Sequence, residues 1–64
     1  ELVAQVAALP ERYRLAVLLR YVGELDYAEI AAVLGQPVGT VKSNVHRGVQ
    51  RLRLAMAEQR IVAG

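Results

Sequence analysis

Apolar residues recur every three to four positions along most of the chain, and no stretch alternates with period two. That spacing predicts helices and leaves no strand candidate, because even the β-branched residues sit at helical intervals. Leu2, Val3, Val6 and Leu9 mark a first short helix over Glu1 to Ala8. Pro10 suits the first position of a second helix, roughly 10 to 22, where the N–H it lacks would have no intrahelical partner. Glu11 beside it favours the positive helix end. Leu15, Ala16, Val17, Leu18 and Leu19 follow in succession, so this helix is apolar on most sides and is expected at the centre of the bundle. Gly23 is expected to end it.

The third helix carries the clearest start signal. Asp26 is a good N-cap, Glu29 stands three residues on as in a capping box, and Leu25 and Ile30 occupy the positions of a hydrophobic staple. Gly35 after Leu34 fits a left-handed C-terminal cap. The helix spans 27–34, with Ile30, Ala31 and Leu34 facing inward, and the small Ala31 permits a close helix crossing. A turn containing Pro37 leads to a fourth helix that starts between Val38 and Thr40 and runs to about Glu58. Val41, Val45, Val49, Leu52 and Met56 form its apolar stripe. At about 100° per residue, Thr40, Ser43, Asn44, Arg47, Gln50 and Arg51 are placed opposite that stripe, with Lys42 and His46 at the boundary.

The expected fold class is therefore all-α: one small four-helix domain over 1–64, with a helix-turn-helix at about 26–53, winged-helix-like but without a wing. Sixty-four residues are near the lower limit for a self-sufficient core, and the 55% of hydrophobic residues exceeds what such a core can hide. Part of that surface is expected to serve as a partner site. No cysteine is present, so neither a disulfide framework nor a thiolate metal site is available. The longest apolar run, Leu15 to Leu19, is too short to cross a bilayer. No signal-peptide pattern stands at the N-terminus, and a chain beginning at Glu1 reads as an excised domain or processed piece of a cytoplasmic protein.

Charge changes the picture by its placement. Residues 1–38 carry Arg12, Arg14 and Arg20 against Glu1, Glu11, Glu24, Asp26 and Glu29. Residues 39–64 carry Lys42, Arg47, Arg51, Arg53 and Arg60 against Glu58 alone. Positive charge gathered on the second helix of a helix-turn-helix is what a polyanion-binding surface requires, although a solvated helix face looks similar by charge alone. The polar face begins at the helix N-terminus, where a recognition helix meets base edges. Arg47 suits a bidentate contact to guanine, Lys42 and Arg51 suit phosphates, and Ser43 and Asn44 suit either or neither. Arg53, near the apolar boundary, reads as a snorkelling side chain. Tyr13, Tyr21 and Tyr27 read as core or rim residues, with Tyr27 and Arg12 within possible reach of a flanking phosphate. His46 is the only histidine and has no metal-ligand partners, and no nucleophile-base constellation appears, so the chain is expected to be neither an enzyme nor a cofactor binder.

The run Leu9-Pro10-Glu11-Arg12-Tyr13-Arg14, then Tyr27-Ala28-Glu29-Ile30-Ala31, then Pro37-Val38-Gly39-Thr40-Val41-Lys42-Ser43, resembles bacterial sigma factors, in particular region 4 of the extracytoplasmic-function class. The likeness covers nearly the whole chain. It implies a transcription initiation domain that binds the promoter −35 element, docks to the β flap-tip helix of RNA polymerase core, and in many cases is held by an anti-sigma factor. The base-reading positions it implies fall on Lys42, Ser43, His46 and Arg47. Together with the helix face, the expected DNA-binding set is Thr40, Lys42, Ser43, Asn44, His46, Arg47 and Arg51. Two positions depart from the family pattern: Asn44 stands where Arg is frequent, and Gly48 where Ala is usual, at a helix-interior cost of about 0.8–1 kcal/mol. Two other readings compete. One is the DNA-binding output domain of a LuxR-type response regulator, which shares the Thr-Val-Lys step but dimerises on its operator; Leu9-Pro10 and Pro37-Val38-Gly39 favour the sigma reading, and no strong dimer helix is evident. The other is a protein-interaction module whose apolar face holds a partner helix.

Overall fold

The computed structural model describes residues 2–63, with side chains over 2–58. Glu1, expected to open the first helix, lies outside the described residues. Four helices follow one another: α1 (Leu2–Ala8), α2 (Glu11–Tyr21), α3 (Tyr27–Leu34) and α4 (Val38–Ala63), with no strand among the described residues. α4 is longer than the apolar stripe suggested, running past Glu58 to Ala63. Pro10 is the N-cap of α2, with φ −52° and ψ 146°, one position earlier than expected. Its carbonyl accepts from the N–H groups of both Tyr13 (3.0 Å) and Arg14 (2.9 Å), so it still starts the helix.

The centre of the fold is α4, against which each of the other three helices packs. Its Val41 and Val45 are fully buried with Ile30 of α3 and Ala16 of α2, Ala31 of α3 is buried beside them, and Leu19, Leu25, Tyr27, Leu34 and Val49 close around the cluster. Burying each of the large side chains contributes about 1.5–3 kcal/mol. A second cluster joins Leu9, Tyr13 and Val17, with Leu52 against it.

The expected central place of α2 is corrected by its exposure. Tyr13, Ala16 and Val17 face inward, but Leu15 and Leu18 remain 38% and 37% exposed. A single layer of helices covers only one side of α2, so an apolar residue on its far side meets solvent. Met56, the last residue of the expected α4 stripe, is 50% exposed for a related reason: by that point α4 has passed beyond the crossing that buries Val41 and Val45.

The α2–α3 connection also differs in detail from expectation. Gly23 donates to the Leu18 carbonyl (3.0 Å) and Leu25 to that of Leu19 (3.1 Å), but the left-handed residue between them is Glu24, at φ 57°. A side chain therefore occupies the conformation that glycine adopts at least cost.

Candidate nucleic-acid interface

Two caps fix α3 in place. The Asp26 carboxylate accepts from the Glu29 N–H (2.8 Å), and the Glu29 carboxylate accepts from the Asp26 N–H (3.0 Å), which completes the expected capping box. Leu25 packs against the cluster that contains Ile30. At the other end Gly35 takes φ 66°, its N–H and that of Gln36 (3.0 Å) both reaching the Ala31 carbonyl. The left-handed cap reverses the chain within Gly35–Pro37, and the Val41 N–H bonds back to the Pro37 carbonyl (3.2 Å) as α4 begins. A short helix, a sharp turn and a long helix crossing it make a helix-turn-helix.

The turn leaves one side of α4 open. Thr40, Lys42, Ser43, His46, Arg47, Gln50, Arg51 and Arg53 are all exposed. Asn44 is not. It is buried at 7% exposure, and its assignment to the open face is corrected. Asn44 lies three residues beyond Val41 and four before Gly48, which is itself buried, so it sits within the strip that α4 turns toward its neighbours. The apolar stripe read from Val41 to Met56 was centred too far round, because Asn44 and Gly48, neither of them apolar in side-chain terms, complete the buried side.

Each flank of the open face is organised by a tyrosine from another helix. On one flank, Tyr27 at the start of α3 packs edge-on to His46, with ring centroids 6.3 Å apart. The Arg20 guanidinium lies 5.7 Å from the same Tyr27 ring and donates to the Leu25 carbonyl (3.4 Å). Tyr21, Tyr27, His46, Val49, Gln50 and Arg53 line a shallow cleft of about 480 Å³ there. Arg53 is thus exposed beside a polar cleft rather than folded along the bundle.

On the other flank stands Tyr13 of α2, 4% exposed. The Arg12 guanidinium lies 4.5 Å from its ring centre and that of Arg51 5.1 Å, and Arg12 Nη2 donates to the hydroxyl at 3.2 Å. Arg47 also acts on that hydroxyl. Hydrogen bonding from Arg12 first, then from Arg47, holds the phenol pKa below its ordinary 10.0, against the opposing effect of burial. The sequence showed Tyr13 only as a core or rim residue. Arg47 and Arg51, one turn apart with Gly48 on the side of the crossing helix, were the available sign that a residue of α2 would reach both.

No group of three or more His, Cys, Asp or Glu side chains that could hold a metal occurs among the described residues. No described helix is long and apolar enough to cross a membrane. The chemistry on offer is hydrogen bonding and positive charge along an exposed helix, the equipment of a DNA-binding helix-turn-helix.

Comparison with known proteins narrows that class. The family model for sigma-70, region 4, matches residues 1–52, and the chain belongs to that family. It is 45% identical over 49 residues to the ECF RNA polymerase sigma factor SigW of Bacillus subtilis, covering 77% of this chain and 26% of that protein. It is also 45% identical over 58 residues to the ECF RNA polymerase sigma factor SigE of Mycolicibacterium smegmatis, covering 91% of this chain and 23% of the relative. With the ECF RNA polymerase sigma-E factor of Escherichia coli K12 the identity is 48% over 42 residues, 66% of this chain and 22% of that one. The chain thus spans about a quarter of the length of these relatives. The response-regulator alternative is not favoured, and the family is one of DNA-binding domains rather than enzymes.

Proposed function

We propose that the exposed face of α4 reads the promoter −35 element, with Ser43, His46 and Arg47 at base edges and Thr40, Lys42 and Arg51 at phosphates. One observation carries this assignment: these six side chains are exposed together on the helix that follows the capped α3 and its turn. Arg47 can donate two parallel bonds to guanine O6 and N7, worth about 1–3 kcal/mol of discrimination. Lys42 and Arg51 set register without reading sequence.

A second surface supports docking to RNA polymerase. Leu2, Val3, Val6, Ala7, Leu18 and Val22, with Arg14 at the edge, line an almost wholly apolar groove of about 370 Å³ between α1 and α2. An amphipathic helix is the occupant that such a groove fits, and the β flap-tip helix is the one proposed here. An anti-sigma factor would compete for the same face. The whole protein then acts in the cytoplasm, where polymerase and promoter meet.

The experiment pairs two variants of the sigma factor in holoenzyme on a set of −35 mutant promoters. Arg47→Ala is expected to relax discrimination at one base pair, and Lys42→Ala to weaken binding to all of them about equally and flatten the salt dependence by about one charge. Parental discrimination in both variants would overturn the recognition-helix assignment. Leu18→Asp, in the groove, is expected to reduce capture of the core enzyme while leaving the α4 face intact.

A further inference from the structure

We propose that Arg12 and Arg51, gathered around the buried Tyr13, form a clamp for backbone phosphates of one DNA strand, with Tyr13 as the residue that positions both. The inference rests on the DNA-binding reading of α4 and assigns it a second, sequence-independent subsite outside the base-reading residues.

The arrangement has three parts. Arg12 and Arg51, from different helices, both stack on one ring, at 4.5 and 5.1 Å. Arg12 also donates to the Tyr13 hydroxyl at 3.2 Å. The ring itself is fixed, because Tyr13 is core material packed with Leu9, Val17 and Leu52. A guanidinium held against an immobile ring has fewer rotamers to lose when it binds a ligand.

Like charges around one phenol repel, and neither Arg12 nor Arg51 is paired with a carboxylate among the described residues. Such a cluster lowers its energy by taking up an anion, and guanidinium groups match phosphate oxygens two at a time. Position selects the source of the phosphate. Arg47 and Arg51 continue the exposed strip that starts at Thr40 and Ser43, and Arg12 extends it onto α2. A helix lying in the major groove has a sugar-phosphate backbone along each side. Here His46, Arg20 and Arg53 border the opposite flank, so the Tyr13 cluster faces the other strand.

The test uses holoenzyme containing the sigma factor and promoter duplexes in which single phosphates flanking the −35 element are replaced by uncharged methylphosphonates. For the parent, a short run of positions on one strand should cost about threefold or more in affinity. Arg12→Ala and Arg51→Ala should each bind every −35 sequence about three- to tenfold less tightly at low salt, with a salt slope shallower by about one. On duplexes neutralised within that run they should lose nothing further. Tyr13→Phe, which keeps the ring and removes the hydroxyl, should retain the Arg51 contribution and reduce that of Arg12, a split that a purely structural tyrosine would not give. Methylphosphonate losses that are equal in parent and variants at every position would overturn the clamp. So would variants that bind DNA as the parent does but assemble poorly with core, an outcome that assigns the arginines to an acidic protein surface instead. If the parent itself shows no preference among −35 sequences, the base-reading assignment fails and the clamp can still stand. If the parent discriminates but Arg12→Ala and Arg51→Ala match it in affinity and salt slope, the clamp alone fails.

Discussion

Gly48 of α4 lies directly against Val17 of α2: a Cβ placed on Gly48 would stand 2.6 Å from Val17 Cγ2, and 3.3 Å from the Tyr13 Cβ. Glycine weakens a helix interior by about 0.8–1 kcal/mol relative to alanine, so on propensity alone this position is a defect. The crossing reverses the sign. Inserting a methyl into a filled contact costs about 1–3 kcal/mol, because buried neighbours must leave their rotamers or the helices must separate. Gly48→Ala is expected to lower stability by about 1 kcal/mol net, read from urea unfolding. Combining it with Val17→Ala should cost less than the two changes summed, since the second removes the atom the first would strike. Additive losses would show that the contact is not what holds Gly48.

The same crossing explains which parts of the fold were legible in the sequence. Local signals were read correctly: Asp26 with Glu29, Gly35 after Leu34, and the Val41–Val45 spacing each depend on residues within one or two turns. The facing of α4 depends instead on how closely α2 approaches, and that distance is set by a residue with no side chain. With Gly48 admitting α2, the buried strip widens to include Asn44, and Arg51, three residues after Gly48, comes to rest on the Tyr13 ring. Periodicity counts apolar side chains and so gave Gly48 no weight. Asn44→Ala is accordingly expected to leave discrimination among −35 sequences unchanged, as measured by binding of the holoenzyme to promoter variants. A relaxed preference in that variant would return Asn44 to the groove face.

Two residues share the left-handed conformation and differ in what they spend on it. Gly35 adopts φ 66° with nothing within 4 Å of where its Cβ would be, and Glu24 adopts φ 57° with a full side chain. The left-handed region costs a residue with a Cβ about 1–2 kcal/mol. Gly35→Ala should therefore destabilise by about 1 kcal/mol through the backbone alone. Glu24→Gly should stabilise by up to about 1 kcal/mol, less whatever entropy the added freedom gives the unfolded chain. Thermal unfolding of the two variants gives shifts of opposite sign. Shifts of the same sign would mean that one of the two turns is held by something other than its dihedral angle.

Tyr13 also makes its surroundings measurable in the absence of DNA. Arg12, then Arg47, lower its phenol pKa below the ordinary 10.0 through hydrogen bonds to the hydroxyl that unfolding breaks. The folded state therefore holds fewer protons than the unfolded state between the lowered pKa and 10.0, and stability rises with pH across that window. The gain is complete above the unfolded value and is lost as pH falls through the folded one. In an absorbance titration of phenolate, Tyr13 should ionise below 10.0, and Tyr13→Phe should remove that step. Arg12→Ala should move it back toward 10.0 by more than Arg47→Ala does, because Arg12 is the larger of the two influences. An early step that survives Tyr13→Phe would place the arginine cluster around a different ring.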